Sequence, residues 1–371
     1  PAGRNSGFMI DLPHDLTSED YGGTLEADRA EIADNRSAIA HAAEMAEEYG
    51  LSDEAFVRSG KVNGAASAKG AKHNSDYARH LAALGELHEM LDARAMRDLT
   101  GTGYYQGGLF TPGTAMVQPA LFVRSIAAGL RSNRIHLHEM SPVTALERRA
   151  DWVATTPGGQ ITAPRVILAV NGHLNSFGHA RGRLMHVFTY ASMTRALTPD
   201  EIMALGGADI WGLTPADPMG TTVRKIAGRG GHRIIIRNRF TFEPSMEVSE
   251  TRLARITGDH DHAFAARFPQ LAGIPMEYRW GGRLCVSRNN VQVIGELEDT
   301  LYSACCQNGL GTAKGTLAGG LAADLACGVT SPALTRALAA PAPTRLPPAP
   351  ISTLGAAAQL RWSHWRAGRE L

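Results

Sequence analysis

The sequence feature that most constrains the fold lies at residues 301–328, LYSACCQNGLGTAKGTLAGGLAADLACG. Its first six residues form a short apolar run, which is typical of a buried strand. Gly309 and Gly311 follow, and Leu317 and Leu321 then stand at helical spacing. The pattern predicts a strand, a glycine turn that lets the backbone approach another group closely, and a helix. The first turn of that helix offers free N–H groups and partial positive charge, which suit an anion or an oxygen that becomes negative during a reaction.

The composition excludes several classes of protein. With 371 residues, 44% of them apolar and 20% charged, the chain is typical of a globular protein of two domains. Its 37 basic and 36 acidic side chains nearly cancel, which argues against a nucleic-acid partner. No apolar run is long enough to span a membrane, so we expect no membrane partner. The four cysteines show no CxxC spacing and the first residues resemble no signal peptide, which favours a reduced, cytoplasmic setting.

Apolar periodicity predicts a mixed α/β chain. Helical patterns cover residues 18–49, 75–84, 119–132, 249–267 and 356–371. Residues 162–170, TAPRVILAV, predict a buried strand that ends at Asn171, and residues 187–195 and 232–239 predict strands of a second region. Residues 331–350 are rich in proline and alanine and predict an extended strap. The last helix carries Trp362 and Trp365, whose spacing of three places them on one face.

Four short motifs occur in a defined order: GRNSG at residues 3–7, RVILAVNG at 165–172, RWGG at 279–282 and NGLGT at 308–312. With this ordered set, the chain resembles the FAD-dependent amine and amino-acid oxidoreductases related to D-amino-acid oxidase. Within them it is most similar to the branch of γ-glutamylputrescine oxidase, glycine oxidase and sarcosine oxidase. The resemblance covers almost the whole chain.

The resemblance implies an α/β (mixed α+β) fold in which a Rossmann-like FAD-binding domain is joined to a substrate domain built on an antiparallel sheet. We expect the FAD-binding domain at residues 1–183, with inserted substrate-domain segments near 50–110. The substrate domain follows at 184–278. The chain returns to the FAD-binding domain at 279–330 and ends in a strap and helix at 331–371.

The chain departs from the family pattern at its start. Family members open with a βαβ unit whose GxGxxG loop holds the FAD pyrophosphate, and this unit would precede GRNSG. The sequence contains no GxGxxG. We therefore expect the unit to come from an N-terminal segment outside this sequence or from a second chain, because a core without its first parallel strand would expose a central sheet edge.

The resemblance also implies which residues contact FAD. NGLGT would lie against the pyrimidine end of the flavin, where the helix N-terminus stabilises negative charge, although a tightly packed strand–helix turn has the same pattern. GRNSG would lie close to the flavin and its phosphates, AVNG near the adenosine half, and Val143 near the adenine. Two glycines of RWGG would let the backbone approach the ring. The expected residues are Gly3, Arg4, Asn5, Ser6, Val143, Ala169, Asn171, Gly172, Gly281, Gly282, Asn308, Gly309, Leu310, Gly311 and Thr312.

Some relatives attach flavin covalently through a cysteine just after the RWGG motif. Gly282 occupies that position here, and Cys285 is displaced from it. We therefore expect non-covalent FAD.

Trp280, Tyr190 and Arg237 are the candidates for the substrate side of the site. Trp280 could wall the substrate cavity, and an arginine suits a bidentate clamp on a carboxylate. Because strand residues alternate faces, Arg237 and Arg239 would share one face, and both could equally point to solvent.

Residues 259–262, Asp-His-Asp-His, at first suggest a metal cluster. We interpret them instead as a helix start, with aspartate as N-cap and histidine in solvent, and expect no metal site.

These features lead to one functional hypothesis and one alternative. The hypothesis is oxidation of the C–N bond of a small amine or amino acid by hydride transfer to flavin N5, followed by imine hydrolysis. The alternative is a non-catalytic or scaffolding subunit of a multi-subunit flavin amine dehydrogenase, since a chain without a pyrophosphate loop would bind FAD poorly.

Overall fold

The computed structural model describes residues 2–13, 24–132 and 134–371. Its helices are α1 (Leu25–Glu48), α2 (Ala68–Leu84), α3 (Ala93–Thr100), α4 (Pro119–Leu130), α5 (Pro199–Leu205), α6 (Glu250–Arg267), α7 (Gly311–Cys327), α8 (Pro332–Ala339) and α9 (Ile351–Ala367). Its strands are β1 (Phe8–Met9), β2 (Phe56–Arg58), β3 (Lys61–Ala65), β4 (Glu89–Asp92), β5 (Gly107–Thr111), β6 (Ala115–Val117), β7 (Ala145–Arg148), β8 (Trp152–Thr156), β9 (Gly159–Ala163), β10 (Val166–Leu168), β11 (Leu184–Thr194), β12 (Trp211–Pro215), β13 (Thr222–Ile226), β14 (Arg233–Phe242), β15 (Met276–Ser287), β16 (Val293–Glu298) and β17 (Leu301–Cys305).

The largest sheet has eight strands in the order β15-β11-β14-β13-β12-β3-β5-β4. All neighbours are antiparallel except β12 and β3. Ile234 and Ile236 alternate along β14 and are fully buried in a core that also contains Phe264 of α6 and the adjacent Phe268. The intervening residues of β14 lie on the opposite face. One face of this sheet therefore packs on α6, and its other face is left to form the site described below.

The stretch at residues 301–328 forms the strand, turn and helix that the sequence predicts. β17 pairs in parallel with β10 and antiparallel with β16, and α7 packs on β17. Ala304 of β17 and two alanines of α7, Ala318 and Ala322, form a shared core cluster, since small side chains let the helix lie close to the sheet. β7, β8 and β9 form a separate antiparallel sheet.

Three local expectations need correction. Residues 331–350 are not wholly extended, because Ser331 accepts a hydrogen bond from Leu334 N and begins α8. Residues 259–262 do not begin a helix but lie inside α6, whose N-cap is Ser249. The first predicted helix, at residues 18–49, is α1, which begins after the N-cap Thr24; residues 18–23 of the prediction lie outside the described residues.

The last residues are held in the core beside α6. The Glu370 carboxylate accepts hydrogen bonds from Ala66 N and Ser67 N, both 2.9 Å, at the start of α2. The guanidinium of Arg267, which is 1% exposed, donates to Glu370 O at 2.9 Å. These contacts tie α2, α6 and the end of the chain together.

No single described helix is both long and apolar enough to cross a membrane. α7 and α8 satisfy the length and composition requirements only when counted as a pair, and that pair is bent by 96°.

Candidate active site

The N-terminal segment and the glycine turn before α7 are joined by Asn5. Its Nδ2 donates to Ala2 O at 2.7 Å and to Thr312 Oγ1 at 3.1 Å, and its Oδ1 accepts from Gly7 N at 2.7 Å. One amide therefore both closes the turn of the GRNSG segment and fixes that turn to the start of α7. GRNSG and NGLGT, which are some 300 residues apart in sequence, lie in contact.

The RWGG segment of β15 lies against the same N-terminal segment. Trp280 Nε1 donates to Arg4 O at 3.2 Å. A Cβ atom on Gly282 would lie 2.8 Å from the same carbonyl oxygen, which is too close for any side chain. Gly281 faces the other way, towards Phe188. Because successive side chains of β15 point to opposite faces, Trp280 and Gly282 share the face that meets Arg4. This explains the tryptophan and the second glycine of the RWGG motif.

Arg224 of β13 holds the segment in place and was not predicted from the sequence. Its Nη1 donates to Ser6 O at 3.0 Å, Gly7 O at 3.1 Å and Val117 O at 2.7 Å. Burial lowers the pKa of its guanidinium to about 10. Gly7 has φ +82°, and a Cβ there would lie 1.8 Å from Arg224 Nη1. The only sequence signal was an arginine in a strand with polar and apolar neighbours, which by itself indicates no partner.

Two cavities flank residues 5–6. The smaller one, which we call the glycine cleft, is bordered by the GRNSG and NGLGT segments and by the eight-stranded sheet. Its lining residues are Asn5, Ser6, Phe8, Ile10, Thr214, Pro215, Pro218, Thr222, Arg237, Gly309, Leu310, Gly311 and Thr312. The larger one, the tryptophan cavity, has a volume of about 270 Å³ and is walled by Trp280 and Tyr278. Trp280 and Arg237 therefore line different cavities, with residues 5–6 between them.

The start of α7 opens on the glycine cleft without a side-chain cap. Its N-cap is Leu310, which offers no side-chain acceptor to the N–H groups of the first turn. Asn308, just before it, accepts from Ser287 N at 2.8 Å through Oδ1, while its buried Nδ2 has no acceptor among the described residues. This part of the molecule therefore offers several unmatched hydrogen-bond donors, which fits a ligand that presents oxygens.

A β-bulge separates Arg237 from Arg239. The pairing of β14 with β11 shifts between Thr189 and Tyr190, and Arg239 takes a φ of +58° at this irregularity. Arg239 Nε reaches Asp259 of α6 at 2.8 Å, whereas Arg237 lines the glycine cleft on the opposite face. The expectation that the two share a face is wrong, because the extra residue breaks the alternation.

Arg237 has no ion-pair partner among the described residues. Its guanidinium lies over the Phe240 ring, 4.7 Å from the centroid, and burial lowers its pKa to about 10. A cation removed from water without a counter-ion is costly, so an anionic ligand in the cleft would be stabilised by it.

Tyr190 is not brought to the cleft. It lies on the same face of β11 as Ser192, which bonds to His260 of α6, and its hydroxyl lies 2.6 Å from Thr241 Oγ1. It is fully buried, and burial raises the pKa of its phenol. Tyr190 therefore packs on the face of the sheet that meets α6, away from the glycine cleft, so a substrate contact by this residue is not supported.

The AVNG turn meets the glycine turn at the carboxyl ends of the two parallel strands. Asn171 Oδ1 accepts from Cys306 N at 3.0 Å, and so joins the end of β10 to the end of β17. Gly172 packs against the His186 ring, which a Cβ would approach to 2.8 Å. Ala169 is exposed, as is Val143 before β7, and neither lines a described cavity. Crevices at the carboxyl ends of parallel strands are where nucleotides bind in such sheets.

The charged side chains of Lys314 and of residues 259–262 have structural partners. Lys314 forms an ion pair with Glu31 of α1 at 3.0 Å, so it is directed away from the cleft. Within residues 259–262, Asp259 pairs with Arg239 and Asp261 with Arg279, and His260 is buried. Among the residues that the structure describes, no cluster of three or more histidine, cysteine, aspartate or glutamate side chains could hold a metal ion.

Comparison with known proteins now decides the family. Residues 2–325 match the family model described as FAD dependent oxidoreductase (DAO). The chain belongs to this family. The match covers far more than half of the chain and includes all four motifs.

Two curated relatives agree with this assignment. The chain is 26% identical over 243 residues to the gamma-glutamylputrescine oxidoreductase of Escherichia coli strain K12, covering 64% of this chain and 54% of the relative. It is 21% identical over 253 residues to the probable oxidoreductase OrdL of Haemophilus influenzae, covering 65% and 54%. The matched part of the chain thus spans about half the length of these relatives.

Solved structures show the same fold. The glycine oxidase of Geobacillus kaustophilus has a TM-score of 0.70 at 19% identity, over 89% of this chain and 85% of that one. The L-proline dehydrogenase of P. horikoshii has a TM-score of 0.66 at 14% identity, over 90% and 87%. The predicted fold class and family are confirmed, and FAD is the cofactor of the family.

The residues around the glycine cleft fit a flavin. The uncapped start of α7, the unmatched Asn308 Nδ2 and the unpaired Arg237 all favour oxygen atoms or negative charge. Gly282 leaves the backbone on the tryptophan side free of a side chain. The individual contacts to FAD stay predictions.

Proposed function

We propose that this chain belongs to an enzyme that oxidises the C–N bond of a small amine or amino acid with FAD. The observation that carries the proposal is the convergence of GRNSG, RWGG and NGLGT at one place beside an unpaired arginine. Relatives named for γ-glutamylputrescine, glycine and L-proline support this substrate class.

The chain's own residues would divide the work between them. FAD, when bound, supplies the acceptor for a hydride from the substrate carbon at its N5 atom. The N–H groups at the start of α7 stabilise negative charge on whatever lies against them. Asn5 and Arg224 hold the N-terminal segment in position, and Trp280 walls the adjoining cavity. Hydrolysis of the imine product by water then completes the reaction without a dedicated base.

Arg237 is the residue that we propose for the substrate carboxylate. It lines the glycine cleft, it has no counter-ion among the described residues, and its planar guanidinium suits a bidentate carboxylate contact. These properties favour an amino acid over a simple amine as substrate.

We further propose that the FAD pyrophosphate is held by a βαβ unit added at β10. This strand is an edge of its sheet, since β17 pairs with one side and no described strand pairs with the other. Ile167 on β10 is 39% exposed, as an apolar residue would be at a surface that another element covers. The unit would come from a preceding segment or a second chain.

Flavin reduction by substrate tests the proposal. The purified full-length protein, kept free of oxygen, is mixed with a panel of amines and amino acids while its visible spectrum is recorded. We expect a flavin band that bleaches with at least one amino acid, with release of ammonia or an amine. Full turnover in a preparation without flavin would refute the proposal.

The scaffolding alternative is distinguished by mass spectrometry of the native protein. An N-terminal extension or a partner chain with GxGxxG, together with bound FAD, supports the enzyme. Neither of these, together with no flavin, supports a scaffolding subunit.

A further inference from the structure

The last helix, α9, has apolar residues on two opposite faces. One face packs on β14, where His364 Nε2 accepts a hydrogen bond from Phe240 N at 3.1 Å and the two rings stack. Ala367, one turn further on, is 4% exposed. This face attaches α9 to the rest of the protein.

The opposite face is an exposed apolar stripe, which we call the tryptophan stripe. Ile351, Leu354, Trp362 and Trp365 are 65%, 68%, 55% and 71% exposed, and Ala358 between them is also exposed. Their spacings of three, four, four and three residues place all five on one side of a helix. The two indole rings lie against each other, with centroids 5.0 Å apart. A continuous exposed row of large apolar side chains marks a surface that another body covers.

The charges on α9 indicate what that body is. The helix contains no aspartate or glutamate, and it carries Arg361 and Arg366. At helical spacing these arginines lie on either side of the tryptophan stripe. Tryptophan between arginines is the arrangement by which amphipathic helices lie in the surface of an anionic bilayer.

A second copy of the chain fits this stripe less well. Its 15 residues span about 21 Å, which at a width of about 10 Å gives a flat footprint on the order of 200 Å². A stable protein interface buries about 800 Å² on each partner. Moreover, neither copy has an acidic side chain on α9 to pair with Arg361 of the other.

We propose that the tryptophan stripe of α9 binds the surface of an anionic phospholipid membrane. The helix would lie in the plane of the headgroups, with the stripe inserted and Arg361 among the phosphates. The sequence-based expectation of no membrane partner rested on the lack of a spanning run, and an interfacial helix needs none. This proposal is independent of the cleft and of the reaction proposed for it.

Vesicle sedimentation of the full-length protein tests the proposal. Vesicles of phosphatidylglycerol mixed with phosphatidylcholine are compared with vesicles of phosphatidylcholine alone. We expect binding to the anionic vesicles, weakening as salt is added, and a blue shift of tryptophan fluorescence. The double variant Trp362→Ser/Trp365→Ser should bind at least about tenfold more weakly, and Arg361→Gln about fivefold. Met203→Ser on α5, at a position that is 76% exposed, is the matched control and should bind as wild type.

Three results would overturn the proposal. One is no binding to anionic vesicles at low salt. Another is equal binding by the wild type and the double tryptophan variant. The third is a protein dimer in solution that the same two substitutions abolish, which would assign the stripe to a second copy.

Discussion

At the scale of single residues, Arg237 and Arg239 form a natural pair of test and control. They differ by two positions, yet one lines the glycine cleft and the other pairs with Asp259. Arg237→Met should raise KM for an amino-acid substrate about 10- to 100-fold, because a charge-assisted contact to the carboxylate is lost. Arg239→Met should leave KM near the wild-type value. Steady-state kinetics on both variants checks this, and the reverse ranking would remove Arg237 from the site.

His260 makes the folded protein sensitive to acid. It is buried against Ser192 Oγ at 2.7 Å, and burial together with nearby Arg279 lowers its pKa to about 3. The unfolded chain therefore binds a proton that the folded chain refuses between about pH 6.5 and 3, so stability falls as pH falls through this window. From pH 6.5 to 5 the loss from this group is about 1–2 kcal/mol.

Urea denaturation at pH 7, 6 and 5 measures this dependence. His260→Gln should be less stable at pH 7 but should lose less stability on acidification than the wild type. His262→Gln, at an exposed position two residues along α6, controls for the substitution itself. An unchanged pH slope in His260→Gln would show that His260 is not the responsible group.

At the scale of elements, the contact between β15 and the N-terminal segment depends on Gly282. An added Cβ would meet the carbonyl oxygen of Arg4 at 2.8 Å, and a backbone atom cannot easily move aside. Gly282→Ala should therefore displace the segment that carries Asn5 and weaken FAD binding about tenfold. Gly320→Ala in α7, where the new methyl group would meet no atom beyond its chain neighbours and the helix's own backbone within 4 Å, should bind FAD normally.

Flavin fluorescence titration of the two apoproteins makes the comparison. Equal affinity in Gly282→Ala and wild type would mean that the packing of β15 on Arg4 does not shape the cofactor site.

The strand and helix on either side of the glycine turn were predictable from the sequence. The β-bulge of β14 and the contacts of Arg224 were not. Residues 301–328 show the periods of a strand and a helix, and β17 and α7 follow them. The bulge beside Arg239 comes from the pairing of β14 with β11, and no pattern within either strand encodes it. The same holds for Arg224, whose acceptors are backbone carbonyls from two distant segments.

At the scale of the whole molecule, Glu370 joins parts of the chain that are 300 residues apart. Its carboxylate is 2% exposed and accepts from Ala66 N, Ser67 N and Ser67 Oγ. Glu370→Ala should lower the free energy of unfolding by roughly 2–3 kcal/mol, because buried donors lose their acceptor. Glu44→Ala, on a side chain that is 76% exposed, should change it by less than about 1 kcal/mol. Thermal or urea denaturation distinguishes the two, and equal effects would contradict the buried contact.

The large-scale arrangement was predictable only through resemblance. The order of GRNSG, RVILAVNG, RWGG and NGLGT indicated the family and its α/β fold, whereas residue spacing alone could not place segments 300 residues apart in contact. The proposed domain boundaries stay a prediction, although β3 and β5 lie in the same sheet as β11 to β15. Tyr190 illustrates the limit, because the sequence predicted its strand but not the face of the sheet on which its side chain lies.

The most direct test of the central claim is a structure of the full-length protein with FAD and a small, unreactive carboxylic acid. We predict that the flavin ring contacts the N-terminal segment at Asn5 and the start of α7 at residues 309–312, and that the carboxylate lies on Arg237. A flavin ring bound away from both segments would contradict the account.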